Sequence, residues 1–250
     1  MMPPEVRRLE EITLNTSSAL KQALHDGWVL RFSPGSNVKR ANSVTALYPS
    51  SLPIEEKIDY CEAAYAREGL PTRFRITDFC DPPELDDLLA ERGYARIEPT
   101  IFMILPLTPE ATREASPHLA ELSLDDWLIV AHELRGDEKE TVAAHRARLQ
   151  SLPCRRFHAA HRVDGKTVCV GLGALLDNGC FGLFDIFTPP LLRNHGYSRS
   201  LTRSLLAVAR REGAELAFLQ VDEGNAPARC IYESFGFRTA YRYWYRVKAN

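Results

Sequence analysis

The chain has no run of apolar residues approaching the roughly 18 that a membrane span needs. Its opening stretch, MMPPEVRRLEE, is charged and has no apolar centre, so no signal peptide is expected. Six cysteines (Cys61, Cys80, Cys154, Cys169, Cys180 and Cys230) are too few for a disulfide scaffold, and none pair as C-x-x-C. They read as reduced, mostly buried thiols of a cytoplasmic protein. No Cys or His cluster has ligand spacing, so no metal is expected. His158 and His161 sit three apart in a strand-like stretch, which turns them to opposite faces. With 31 basic and 33 acidic residues the net charge is −2, and the basic excess of a nucleic-acid binder is missing. Neither nucleic acid nor a membrane is therefore an expected partner. Glycine (14) and proline (16) are ordinary in number, which excludes collagen-like or low-complexity chains. What is present is a globular composition: 45% hydrophobic and 26% charged residues over 250 positions, room for one large domain or two ordinary ones.

A weak internal repeat organises the chain. AREGLPTRFRITD (66–78) resembles RREGAELAFLQVD (210–222). Gly69 matches Gly213 and Asp78 matches Asp222, both 144 residues apart; Gly93 matches Gly236, 143 apart. Each copy reads helix, Gly turn, strand, helix, Gly turn, strand. Two units follow, 1–110 and 111–250, with a boundary in the Pro-, Thr- and Ser-containing stretch 105–117.

In the second unit, helices are expected over 125–134 and 138–149, separated by Gly136. Strands over 156–163, 167–176 and 180–188 are joined by the Asp164-Gly165 and Asn178-Gly179 turns, giving three antiparallel strands. A helix over 197–211 presents Leu201, Leu205 and Val208 on one face. A strand (217–221), a helix (227–234) and a final strand (238–247) close the chain. In the first unit, helices are expected from Pro53 to Glu68 and from the Asp81-Pro82-Pro83-Glu84 start to Arg92.

Two motifs carry chemistry. TPPLLRNHGYSRSL (188–201) joins the third strand to its helix and has the form R-x-x-G-x-S at Arg193, Gly196 and Ser198. A turn that exposes backbone N–H groups beside a helix N-terminus suits an anionic phosphate; the bland alternative is a plain connecting loop. NAPARCIYESFGF (225–237) places Asn225 to cap a helix, with Pro227 early in it and Tyr232 one turn before Gly236. Its bland alternative is an amphipathic helix whose Tyr packs inward. Cys230 reads as a core residue.

Together these motifs, in this order of strands and helices, resemble the GNAT superfamily of acetyl-CoA-dependent N-acetyltransferases over roughly 120–250. The resemblance implies an α/β fold of the α+β type: a mixed, mostly antiparallel sheet flanked by helices, in two tandem copies. It implies acetyl-CoA as co-substrate. The pantetheine arm would lie along Ile186, Phe187 and Thr188, and the pyrophosphate on Arg193, Asn194, His195, Gly196, Tyr197 and Ser198. Asn225 would contact the arm. Tyr232 would touch the cofactor and protonate the departing thiolate. Ser198 stands where the family usually has Gly or Ala. The first unit reads as a degenerate copy without a cofactor site, since Pro49, Leu52 and Ile54 replace Arg193, Gly196 and Ser198, and Leu88 or Leu89 replaces Tyr232.

The expected reaction is acetyl transfer to a primary amine by direct attack in a ternary complex. The acceptor is expected to be a small or amino-acid-like molecule. A protein amino group is an alternative acceptor, and an acyl-CoA sensor or scaffold without turnover is the alternative from another class. The general base is not fixed by the sequence: Asp185, on the strand carrying the cofactor contacts, and Glu223, after the next strand, are candidates, and water-relayed proton loss is a third option. Trp127 and Glu133 are candidates to line the acceptor pocket, Trp127 also to be core. Lys39, Arg40, Asn42 and Ser43 are dense in donors and read either as a wall of that pocket or as a solvated loop. Oligomeric state is not readable.

Overall fold

The computed structural model describes residues 4–17, 19–36, 38–107, 119–176 and 178–248. Most of the expected boundary stretch, 108–118, lies outside the described residues. The elements run α1 (Pro4–Thr16), β1 (Lys21–His25), β2 (Trp28–Phe32), β3 (Val44–Ala46), α2 (Ile54–Arg67), β4 (Thr72–Thr77), α3 (Leu85–Glu91) and β5 (Ala95–Pro106). They continue with β6 (Leu119–Leu122), α4 (Leu124–Arg135), α5 (Lys139–Gln150), β7 (Arg155–Val163), β8 (Lys166–Leu175), β9 (Cys180–Phe187), α6 (Tyr197–Arg211), β10 (Leu216–Asp222), α7 (Ala226–Glu233) and β11 (Arg238–Lys248).

The strands form one 11-stranded mixed sheet in the order β1-β2-β3-β4-β11-β5-β10-β9-β8-β7-β6. Every pairing is antiparallel except β3 with β4 and β9 with β10. Leaving out β6, the order reads the same from either end once β1 is exchanged for β7, β2 for β8, β3 for β9, β4 for β10 and β5 for β11. The sequence repeat lies behind this: β4 and β10 start 144 residues apart, while β5 and β11 start 143 apart, as do α2 and α6. The last strand of each repeat crosses the middle, so β11 pairs with both β4 and β5.

Both faces of the sheet are covered, so alternate residues of β7 and β8 enter different cores. Ala159 and Cys169 pack under α6 with Leu201 and Leu205. Ala160, Val170 and Leu172 pack under α4 with Trp127 and Leu128. His158 and His161 follow that alternation. His158 approaches Trp127 and His161 approaches Tyr197, and both are buried. In the first repeat, α2 and α3 cover Trp28, Leu30, Phe74 and Ile76 with Ile58, Tyr65, Leu85 and Leu89. On the other face α1 is tied to the sheet by a buried Glu10–Arg75 ion pair, with Arg75 over the Tyr243 ring.

Local signals explain several ends. Ser123 caps α4 by accepting from the Asp126 N–H, and Gly136 stops it in the left-handed region at φ 71. The Asp164-Gly165 turn has positive φ at both positions (51 and 76), as a type I′ hairpin requires. Cys230 corrects the expectation of a core thiol: α7 is a short helix with no fully buried residue, and Cys230 lies on its solvent face. Among the described residues no helix is long and apolar enough to cross a membrane.

Candidate active site

The parallel strands β9 and β10 pair only from Cys180/Leu216 to Leu183/Leu219. Both then continue, to Phe187 and Asp222, without pairing with each other. A bulge in β9 opens this gap. The register with β8 jumps from Leu172↔Phe184 to Val170↔Phe187, so Asp185 and Ile186 stand opposite the single residue Gly171. Asp185 takes up the extra length at φ 52. Gly171 is needed there: a Cβ would lie 3.0 Å from Leu201 and 3.1 Å from Ile186.

On one side of the gap, the chain leaves Thr188 through a short turn (Pro190–Leu192) and enters α6. Asn194 and Gly196 both have left-handed backbone, φ 66 and 77. Alternating conformations of this kind turn successive N–H groups toward one point, a form of anion nest. No side chain caps α6, its first turn carries no acid, and its first intrahelical donor is the Ser200 N–H to Gly196 O. The N–H groups of Tyr197, Ser198 and Arg199 therefore have no intrahelical partner. A Cβ added at Gly196 would meet nothing within 4 Å, so the approach is open. Arg193, Asn194, His195 and Arg199 are exposed around it. His195 Nδ1 is 2.8 Å from Arg193 O, and its ring stacks on Tyr197. The Ser198 hydroxyl is 2.8 Å from Thr188 Oγ1, so it ties the helix start to the strand end. These residues fit an anionic, phosphate-bearing ligand whose arm runs into the gap.

Beside that opening, α7 starts at Asn225, whose side chain accepts from the Ala228 N–H at 3.2 Å. Tyr232 leans from α7 against the α6 core and Phe237. Burial, with a smaller contribution from nearby Cys169, pushes its phenol up to about 12. It is protonated across the physiological range.

The other side of the gap holds two clefts. The first, about 160 Å³, is bounded by Ser36, Val38, His132, Arg135, His145 and Asp185. The second, about 300 Å³, includes Lys39, Arg40, Glu98, Gln220, Asp222 and Tyr243. Gly35, Ser36, Val38, Lys39 and Arg40 of the first repeat thus border clefts that they share with residues of the second. Arg40 reaches Gln220 Oε1 at 3.4 Å and Lys39 pairs with Glu98 at 2.5 Å. Asn42 instead turns inward, accepting from the Ser33 N–H at 2.6 Å, and Ser43 is buried.

Asp185 faces α4 and α5. Its Oδ2 lies 3.3 Å from His145 Nε2 and 4.0 Å from Arg148, and its Oδ1 lies 3.9 Å from Arg135. Burial alone would raise its pKa, but the facing His145 ring and the Arg148 and Arg135 charges outweigh it and hold the carboxyl well below the usual range. Glu223 is ion-paired with Arg242 at 3.1 Å. Trp127 is fully buried, donating to Ala159 O at 3.2 Å, and packs edge-on against His145. His132, Arg135, His145 and Arg148 were not singled out by the sequence. Their i, i+3 spacing on two helices was visible, but nothing local shows that the helices face one another across Asp185. Among the described residues no group of three or more His, Cys, Asp or Glu is placed to hold a metal ion.

A splayed parallel strand pair beside an uncapped helix N-terminus is the arrangement of a GNAT-type acetyltransferase, and comparison with known proteins agrees. Residues 4–246 match the model of the family described as "Probable histone acetyltransferase Rv0428c C-terminal", and the chain belongs to that family. It is 28% identical to a Bacillus subtilis (strain 168) protein named "Uncharacterized N-acetyltransferase YobR", over 98% of this chain and 99% of that one. Its fold is similar to a GCN5-related N-acetyltransferase from Kribbella flavida (TM-score 0.72, 17% identity, 98% of this chain and 95% of that one). It is also similar to a tandem GNAT protein from the clavulanic acid biosynthesis pathway (TM-score 0.64, 15% identity, 99% and 89%). The fold implies use of an acyl-CoA.

Proposed function

We propose that the chain transfers an acetyl group from acetyl-CoA to a primary amine of a small or amino-acid-like acceptor, by direct attack in a ternary complex. The observation that carries this reading is the opening between β9 and β10, with the uncapped α6 terminus on one side and polar clefts on the other. The backbone of Ile186, Phe187 and Thr188 holds the pantetheine arm, and Arg193 to Ser198 hold the pyrophosphate. Asn225 contacts the arm. When bound, acetyl-CoA supplies a thioester carbonyl. Backbone N–H groups at the end of β9 polarise that carbonyl, and Tyr232 donates a proton to the leaving sulfur. A phenol at about 12 keeps its proton until the thiolate forms beside it. Asp185, held among cations, is a weak base by itself.

In this reading the first unit, 1–110, is a GNAT-like fold without a cofactor site, and 111–250 carries it. The two are not separable pieces, because β11 completes the sheet between β4 and β5. The role left to the first unit is to wall the acceptor clefts through Val38, Lys39 and Arg40. The family's description favours a second reading, in which the acceptor is a protein amino group; clefts of about 160 and 300 Å³ favour the small acceptor.

Thermal unfolding with acetyl-CoA, free CoA and a longer acyl-CoA tests the cofactor assignment. Ligand at about 100 times its dissociation constant adds roughly 2.7 kcal/mol. The expected result is an upward shift that disappears in the Arg193→Glu/Gly196→Asp double variant. No shift at millimolar ligand would leave two cofactor-free folds used for binding. Mass spectrometry of amino acids, polyamines and histone-tail peptides incubated with enzyme and acetyl-CoA then separates the acceptors.

A further inference from the structure

Four side chains stand in line along the first cleft. Asp137 Oδ2 is 2.7 Å from His132 Nδ1, His132 Nε2 is 3.1 Å from His145 Nδ1, and His145 Nε2 is 3.3 Å from Asp185 Oδ2. The histidines are buried, with side chains 5% and 9% exposed, whereas Asp137 and Asp185 are 29% and 30% exposed. Counting donors fixes the protons. A carboxylate only accepts, so His132 donates from Nδ1 to Asp137. Burial above all lowers the His132 pKa, against the pull of Asp137, which favours a neutral ring whose Nε2 accepts. His145 must therefore donate from Nδ1. Its Nε2 is left with no well-formed hydrogen bond and faces the Asp185 carboxylate.

We propose that His145 and Asp185 together form the base of the reaction, with His132 and Asp137 as positioning residues that lock the His145 tautomer. The proposal rests on the transferase reading above. A neutral His145 sets a nitrogen lone pair against carboxylate lone pairs, and a single proton between them relieves both. When an acceptor ammonium meets Asp185, one N–H bond breaks and the electron pair stays on nitrogen for attack on the thioester; the C–N bond forms, the C–S bond breaks with Tyr232 protonating the sulfur, and the second proton lost from nitrogen restores the phenol. The first proton passes through Asp185 to His145 Nε2, leaving an imidazolium against a carboxylate, and returns to water when the product leaves. The groups facing this pair are His132 and Arg135 from α4, Arg148 from α5, His158 from β7, Asp137 from the α4–α5 loop and Arg40 from the first repeat. The Arg148 and Arg135 charges bear on the Asp185 carboxylate and favour its ionised form.

The test is long-range ¹H–¹⁵N NMR of the full chain labelled in histidine, between pH 5 and 9 without ligand, alongside kinetics. His132 is expected to hold one proton, on Nδ1, and His145 to keep Nδ1–H while Nε2 titrates. In Asp137→Ala, two residues removed, the His145 tautomer should become mixed; in Asp185→Asn its Nε2 should lose its proton at lower pH. On a primary amine that the wild type acetylates, His145→Gln should lower kcat/KM about 10²-fold at pH 7. That deficit should close as pH approaches the amine's own pKa, with KM for acetyl-CoA unchanged. A His132 proton on Nε2, an unaltered His145 in Asp137→Ala, or an unchanged pH profile in His145→Gln would overturn the proposal. Should no amine be acetylated by the wild type, the transferase reading falls, and the NMR result still decides the tautomer lock.

Discussion

The starts of α2 and α6 occupy matching places in the repeat, 143 residues apart, and they treat a negative charge in opposite ways. At α6 the turn N–H groups open to solvent beneath exposed Arg193 and Arg199. At α2 the same region is already filled by the chain itself. Asp26, in the turn between β1 and β2, accepts from the Ser51 N–H at 2.9 Å, the Leu52 N–H at 2.8 Å and the Ser51 hydroxyl at 2.9 Å. Lys57, fully buried, lies 3.3 Å from the Asp26 carboxylate and donates to its backbone oxygen at 2.6 Å. Pro53, the residue before α2, contributes no N–H. Gly27 permits the close approach, since a Cβ there would lie 2.4 Å from Tyr48 O. A helix N-terminus attracts anions whatever their source. In the first repeat an internal carboxylate takes the N–H groups of the turn before the helix, whereas in the second the corresponding turn stays open.

The sharpest way to break this comparison is to make the second repeat resemble the first. Tyr232→Phe imposes on α7 the apolar character of buried Leu89, its counterpart on α3. Turnover should fall by about 10²-fold while acetyl-CoA binds as before; equal turnover removes Tyr232 from the mechanism. The converse change, Asp26→Ala, empties the α2 site. Calorimetric titration should still give one acetyl-CoA per chain, because Pro53 and the missing arginine deny the first repeat a cradle; two per chain would end the distinction. The same variant should melt at lower temperature. The Asp26 pKa lies well below its ordinary 3.8, chiefly through the Leu52 and Ser51 hydrogen bonds working against burial. A carboxyl depressed on folding stabilises the fold above its unfolded pKa and loses that contribution as pH falls through its folded pKa. The gap in melting temperature between wild type and Asp26→Ala should therefore be full at pH 7 and narrow below about pH 3.8.

Smaller effects sharpen the picture of the open site. Asn225→Ala removes the α7 cap, a loss of about 1 kcal/mol, or roughly 2–4 °C in melting temperature for a chain of this size. Ser198→Ala restores the small residue usual in the superfamily and breaks the hydroxyl contact with Thr188. Because that hydroxyl already points at the strand rather than the loop mouth, acetyl-CoA affinity should change by less than about threefold. A larger loss would mean that Ser198 itself holds phosphate.

Local signals made much of this legible. Asp164-Gly165, Asn178-Gly179 and Gly136 marked ends that the structure keeps, and α6 spans the expected residues, Tyr197 to Arg211. The same signal at Asp26-Gly27 went unread, although it builds the β1–β2 hairpin that carries the plug. The α4 and α5 side chains could not be read in this way. His132 and His145 are 13 residues apart on separate helices, and their 3.1 Å contact depends on how both helices pack over β7 and β8.

The sequence by itself determined the repeat, the element types and the phosphate-type loop, because turn chemistry, helix starts and apolar periodicity act over a few residues. Tertiary structure alone decided that β11 crosses between β4 and β5, that Asp26 fills the turn before α2, and that Gly35, Ser36, Val38, Lys39 and Arg40 border clefts formed with α4, α5 and β10. Each of these depends on groups distant in the chain meeting in space. They meet where long-range strand pairing and burial on both faces of one sheet leave no other arrangement that satisfies the backbone.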